Sequence, residues 1–319
     1  MTHAPEAAGI WRLVRYVIVA AMVWSLVVLA GIVAWGGEAA RTRLATVGMP
    51  LALATVATFV LNHALRFARW HLMLRAERHF IPWRRSLAIF MAGLALLPTP
   101  AKAGVASRSV LLLAEGVPVH VSIAAYFAER LLDLVGLVML ATLLLATLSS
   151  WNAWVLAAVA GVVGMVAIAV APSILAALRP RMPPWPRTRR ALDWTSRCFV
   201  DAEEMLSGWR LPAFVALGMA ANAVSGLLLY AALLGSATPI AASTGVGILA
   251  VSHLSGSISL LPGGIGGFDL AMLAQLAAAG VAPLDAITAL SLVRLATLWS
   301  SVLAGLPLLW LGLRRAPAG

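Results

Sequence analysis

Lys102, Arg108, Glu129, Arg130, Asp133, Asp269 and Arg294 lie in or beside stretches otherwise apolar enough to be buried in lipid. A charge at the centre of a bilayer costs about 2.5–3.5 kcal/mol on insertion scales, so it persists only with a partner or in a wet cavity. The four cations suit an anionic group such as a phosphate. Glu129 and Asp133 are spaced i,i+4, and Arg130 and Asp133 i,i+3, where neighbours on one helix meet. They read equally as a self-neutralising structural cluster and as part of a site. Arg294, in LSLVRLATL, has no acid within a turn on either side. Its partner must therefore be distant: Asp269, or an anionic ligand.

Asp269 closes the run SLLPGGIGGFD. A short helix beginning near Phe268 would aim free N–H groups and the positive end of its dipole into the membrane interior. Gly263, Gly264 and Gly266 would let a head group approach the backbone closely, or serve close packing alone. Asp269 would equally cap that helix. Asp133 and Asp269 could be imagined as a catalytic aspartyl pair. However, the chain has Gly-Gly-Phe-Asp rather than Gly-x-Gly-Asp, no His-Glu-x-x-His, and no nucleotide-binding glycine pattern after a strand. No cofactor is expected.

The elements that must position these residues are membrane helices. The 319-residue chain is 62% hydrophobic and 11% charged, against about 25% charged in an average soluble domain. Full spans of about 20 residues are expected at 16–35, 48–70, 120–148, 151–178, 211–234 and 284–312. The first is too long for a signal-peptide core and lacks a small-x-small cleavage site, so it is expected to be retained, with no soluble domain at either end. The net charge of +11 comes from basic residues clustered between apolar runs, the positive-inside pattern. No basic patch carries aromatic interleaving of the kind that binds single strands, so nucleic acid is not an expected partner. The single cysteine, Cys198, excludes an internal disulfide and any Cys-based metal site.

Two regions, 84–117 and 239–282, are apolar runs broken by Pro and Gly. They look like copies: LLP at Leu96–Pro98 and Leu260–Pro262, GV at Gly116-Val117 and Gly280-Val281, and Arg130 and Arg294 all repeat at one offset, 262−98 = 280−116 = 294−130 = 164. Paired interrupted segments in two halves point to a transporter binding site. The arginine-rich stretches 66–85 and 179–210 should both be cytoplasmic. The two spans between them require 84–117 to enter and leave on one side. The expected architecture is all-α: a polytopic bundle of about six full spans plus two re-entrant helical hairpins in inverted repeats. Repeat 1 covers 48–148 with hairpin 84–117. Repeat 2 covers 211–312 with hairpin 239–282, and 179–210 forms a cytoplasmic basic loop. Both termini are expected in the cytoplasm. Within the loop, 189–206 is amphipathic and expected on the leaflet surface or as a plain linker.

Asn62, Arg66 and Arg69 form an i, i+4, i+7 stripe whose default reading is snorkelling to head groups. His253, among Ser252, Ser255, Ser257 and Ser259, reads as hydrogen-bonded packing before it reads as a proton relay.

Taken in order, these residues resemble the transmembrane, flippase-like family named for lysylphosphatidylglycerol synthase. Asn62-x3-Arg66-x2-Arg69 ends a helix, and Thr99-Pro100-Ala101-Lys102-Ala103-Gly104-x3-Arg108 is similar to the family's TPxKxGExxR. Glu129-Arg130-x2-Asp133 resembles ERxxD, Pro262–Asp269 resembles PGGIGxxE, and Arg294-x2-Thr297-x-Trp299 resembles RxxTxW. Two positions depart: Val105 replaces a glutamate, and Asp269 stands for another. The aminoacyl-transferase domain fused to some relatives is absent from this sequence, so aminoacylation is not implied. The resemblance implies movement of phospholipids, hopanoid-type lipids or polyprenyl-linked lipids between leaflets of the bacterial inner membrane.

The expected function is a lipid flippase or transporter. Lys102, Arg108, Arg130, Arg294, Asp269, Gly263, Gly264 and Gly266 would bind substrate, and Asn62, Arg66, Arg69, Glu129 and Asp133 would support them. No metal is expected. The alternatives are a membrane-embedded lipid-modifying enzyme and an accessory subunit of an envelope-synthesis pathway. The expected partners are membrane lipids with an anionic head group. A homo-oligomer or an envelope-biosynthesis partner stays open.

Overall fold

The computed structural model describes residues 48–97, 104–145, 186–259 and 262–315, with 23, 163, 164 and 166. The expected spans 16–35 and 151–178, and Lys102, lie outside or almost wholly outside these residues. All regular structure among the described residues is helical.

Four helices match expected spans: α1 (Met49–Ala76), α4 (Val119–Leu145), α6 (Arg210–Leu233), and α9 (Pro283–Arg294) running through a π turn at Leu295–Trp299 into α10 (Ser300–Arg315). Of these, α1, α6 and Pro283–Gly312 are long and apolar enough to cross a membrane. The α4 helix has the length, 27 residues, but carries Glu129, Arg130 and Asp133. The amphipathic helix of the basic loop is α5 (Pro186–Leu206) and starts slightly before its expected position. It packs on α4 and α1.

Each interrupted segment is a pair of short helices. The first pair is α2 (Trp83–Leu94) and α3 (Gly104–Leu113); the second is α7 (Ala242–Ile258) and α8 (Gly267–Ala278). These helices have 12, 10, 17 and 12 residues. At 1.5 Å per residue, even the longest reaches about 26 Å, short of the roughly 30 Å hydrocarbon core. Within each pair the two helices pack on each other.

The offset of 164 reappears in element boundaries. The α2 helix ends at Leu94 and α7 at Ile258; α4 begins at Val119 and α9 at Pro283. The repeated GV has a physical cause. Gly116 and Gly280 adopt φ of 79° and 78°, and each ends a helix with the same pair of reversed bonds. Gly116 N donates to Leu113 O and Val117 N to Leu112 O; Gly280 N donates to Ala277 O and Val281 N to Leu276 O. This is the Schellman cap, which needs a left-handed residue followed by an apolar one. Val117 and Val281 are both buried.

Packing is reciprocal. The α1 helix lies against α6, the first short pair (through α2) against α10, and the second (through α7) against α4. Glycines bring these backbones close: Gly247 faces Leu144, and Gly305 faces the Met91–Ala95 backbone. Small residues at such crossings are how membrane helices associate where lipid supplies no hydrophobic drive. Serine hydroxyls in α7 donate to carbonyls a turn back, Ser252 to Ile248 and Ser255 to Val251, so they need no water.

Candidate functional site

A cavity of about 400 Å³ opens where the two pairs of short helices meet α1, α4 and the π turn. Small-molecule sites span roughly 300–1,000 Å³. Its lining includes Arg66, Arg108, Glu129, Arg130, Asp133 and Arg294, with Asn62, Gly263 and Gly264. Expected residues from both halves thus line one cavity; Arg69 and Asp269 contact it only through their partners Asp133 and Arg294, Gly266 does not line it, and Lys102 lies outside the described residues.

Asp133 is the hub. Its Oδ2 accepts from Arg66 Nη1 at 3.0 Å, and its Oδ1 from Arg69 Nη2 at 2.7 Å. Arg130 Nη2 lies 3.2 Å from Oδ2 on the same helix. One carboxylate thus serves three guanidiniums. Arg69 is fully buried, and its Nε and Nη1 have no partner. Its side chain fits only because residue 218 is glycine: a Cβ there would overlap Nη1. Arg66 completes its fork through Nε to Asn62 Oδ1 at 3.1 Å and Nη2 to Asn222 Oδ1 at 2.9 Å. Asn62 in turn donates to Ala221 O and Ser225 Oγ. The stripe expected to snorkel instead faces inward and ties α1 to α4 and α6.

Glu129, beside Arg130 in sequence, is not its partner. Glu129 Oε2 accepts from Arg108 Nη1 at 3.1 Å. The Arg108 guanidinium lies 4.6 Å from the Phe90 ring centroid and 5.7 Å from that of Trp70. Gly93 leaves room for the Arg108 stem. The cluster on α4 is therefore neutralised mostly by other helices, not by itself.

Across the cavity, Arg294 holds the second break. Its Nε donates to Asp269 Oδ1 at 2.6 Å, Nη1 to Gly263 O at 3.0 Å and Nη2 to Gly264 O at 3.1 Å. Its guanidinium stacks 4.1 Å from the Phe268 ring centroid. Asp269 Oδ2 accepts from Gly266 N at 2.9 Å. Asp269 thus caps α8 and pairs with Arg294 at once. The glycines make this possible: Gly263 and Gly264 have positive φ, so their carbonyls can turn toward Arg294, while Gly266, also at positive φ, starts α8 and accepts from Leu270 N. His253 packs edge-on against Phe268.

Sequence reasoning missed Asn222 and His63. Asn222 is a lone amide in an apolar span, and that was the available signal. His63 bridges Phe59 O and Ser301 Oγ, both at 2.7 Å, and links α1 to α10 beside the π turn. Phe59 O can only accept, so Nδ1 carries a proton.

The fold and the site together define a polytopic helical membrane protein with a buried, charge-lined cavity between two interrupted helix pairs. The family described as the lysylphosphatidylglycerol synthase TM region matches residues 13–305. The chain belongs to that family. Comparison with curated proteins gives no match.

Proposed function

We propose that the protein is a flippase that carries a lipid with an anionic or polyprenyl-phosphate-type head group between leaflets of the bacterial inner membrane. The observation that carries this reading is the convergence of arginines from both halves on one cavity. The two interrupted segments enter as re-entrant hairpins from opposite faces, in inverted repeats, with both termini in the cytoplasm. Their helices, too short to cross singly, fit that arrangement. Rocking one half against the other would then expose the head group to each leaflet in turn.

Arg130 is the gripping group. Its side chain is 45% exposed, against 11% for Arg294. Arg294, Phe268, Gly263 and Gly264 line the same cavity, with Asp269 holding Arg294 from behind. The aspartyl-pair chemistry of an enzyme is less well supported, because Asp133 and Asp269 are each held by their own arginines.

The test is translocation of a fluorescent anionic phospholipid in proteoliposomes. Arg130→Ala should abolish it while thermal unfolding in detergent stays near wild type. Wild-type translocation by this variant would overturn the role of the cavity.

A further inference from the structure

A hydrogen-bonded chain beside the cavity has more links than its neutral groups have protons. It runs from Phe59 O to His63 Nδ1 at 2.7 Å, from His63 Nε2 to Ser301 Oγ at 2.7 Å, and from Ser301 Oγ to Thr297 O at 2.6 Å. Both ends are carbonyl oxygens, which only accept. Three links between two acceptors need three protons. A neutral imidazole supplies one and the serine hydroxyl supplies one. The neutral chain therefore closes on one side of Ser301 only: its hydroxyl points either at Nε2 or at Thr297 O. The imidazolium supplies the third proton. Nε2–H then donates to Ser301 Oγ, the Ser301 hydroxyl donates to Thr297 O, and every link is made.

This chain is placed to respond to what the cavity holds. His63 and Thr297 both line it, and Thr297 belongs to the π turn that follows Arg294. Among the described residues, the charged groups lining the cavity with His63 are Arg66 on α1, Arg108 on α3, Glu129, Arg130 and Asp133 on α4, and Arg294 on α9. Tyr126 and His253 are its other titratable groups, and α6, packed along α1, adds only the amide of Asn222. The His253 ring packs on Phe268 and has no hydrogen-bond partner among the described residues. His63 is the ring with an oxygen waiting at each nitrogen.

We infer that His63 takes up one proton when an anionic head group enters the cavity, so that head-group binding and proton binding are one event. The inference deepens the lipid-carrying reading above and rests on it. Arg66 lies three residues on, on the same helix face. A positive ring beside that guanidinium is opposed by Coulomb repulsion, and an anion held in the same cavity offsets the repulsion. The step balances. One proton enters from solvent through the cavity and bonds to Nε2, the Ser301 hydroxyl turns from Nε2 to Thr297 O, and no other bond forms or breaks.

The test titrates fluorescent phosphatidylglycerol, whose phosphodiester keeps one charge throughout, into the full chain in neutral detergent micelles. Binding is read by anisotropy from about pH 5 to about pH 8, the range in which histidine titrates. Wild-type affinity should fall as pH rises, by up to about tenfold per pH unit, the limit for one linked proton. His63→Gln, which cannot titrate, should bind with a flat profile. Ser301→Ala, which keeps the ring but removes the acceptor at Nε2, should move the fall to lower pH by about one unit, the worth of one hydrogen bond. His253→Gln should keep the slope, whatever it does to the affinity itself. A flat wild-type profile, a slope that His63→Gln leaves in place, a fall that Ser301→Ala does not move, or a slope lost in His253→Gln overturns the coupling while the lipid-carrying reading stands. Binding no tighter than that of fluorescent phosphatidylcholine at every pH overturns both. Excess sulfate at the acidic end should leave the lipid bound; displacement would assign the site to a soluble anion and overturn the reading on which the coupling rests.

Discussion

The two halves of the molecule share boundaries, caps and an arginine at the same offset, yet they use that arginine in opposite ways. In the C-terminal half, Arg294 is bonded to Asp269, Gly263 and Gly264 and is stacked on Phe268. It fixes the break between α7 and α8. In the N-terminal half, Arg130 touches Asp133 and the Tyr126 ring and otherwise faces the cavity. Residue 297, one turn beyond Arg294, is Thr297 inside a π turn. Its counterpart, 297 − 164 = 133, is the hub carboxylate Asp133 on a regular helix. One half holds the wall and the other concentrates charge. A duplicated skeleton thus yields a polar cavity with one arginine fixed in its wall and one left more exposed.

The largest effect should come from removing the carboxylate of each half. Asp133→Ala strips three arginines of their shared partner and should cost about 3–5 kcal/mol, the usual penalty for breaking a buried ion pair. Asp269→Ala leaves Arg294 with two carbonyl acceptors and orphans the Gly266 N–H, for about 1–3 kcal/mol. Thermal unfolding of the purified variants in one detergent reads both. Equal losses, or a larger loss at Asp269, would break the distinction between a charge-rich half and a clamped one. Asp269→Asn refines it. An amide oxygen can still cap α8, so whatever destabilisation remains belongs to the Arg294 pair.

Much of this skeleton was legible in the sequence. Ends of spans are marked by chemistry that acts locally. Gly116 and Gly280 are needed where only a left-handed residue closes a helix, and Pro283 starts α9 where its missing N–H costs nothing. The Arg294–Asp269 pair was legible by elimination, because no nearer acid exists. The remaining pairings were not. Sequence neighbours suggest that Glu129, Arg130 and Asp133 neutralise one another, yet Glu129 goes to Arg108 and Asp133 mostly to α1. That choice is set by which helix faces lie together. It also depends on remote glycines such as Gly218, which opens the space for Arg69. The π turn after Arg294 leaves no pattern in the apolar run that contains it.

A smaller and symmetrical effect is expected at the two caps. Gly116→Ala and Gly280→Ala each force a Cβ into the left-handed region, at about 1–2 kcal/mol. No atom lies within 4 Å of either added Cβ, so the cost is conformational and should match between halves. Unequal losses in thermal unfolding would show that the duplicated caps carry different loads.

The smallest effect is one-sided. Glu77 follows α1, and its counterpart, 77 + 164 = 241, is an alanine. Burial pushes the Glu77 carboxyl up to about 7, and the nearby Glu204 and Asp201 carboxylates push the same way, against His120 and Arg210. Its Oε1 is buried with no partner, a position better suited to a neutral acid than to a carboxylate. Because the folded pKa lies above the unfolded value of 4.5, the folded state holds the extra proton between them. Stability from this group is therefore present at low pH and declines as pH rises through about 7. Glu77→Gln should flatten that decline and stabilise the protein most above pH 7, by on the order of 1 kcal/mol, since a part-exposed carboxyl is screened by solvent. Thermal unfolding of wild type and variant from pH 5 to about pH 8 reads it, the range bracketing the titration. Parallel curves would show that the contact between α1 and α5 carries no titrating group, and would remove this difference between the halves.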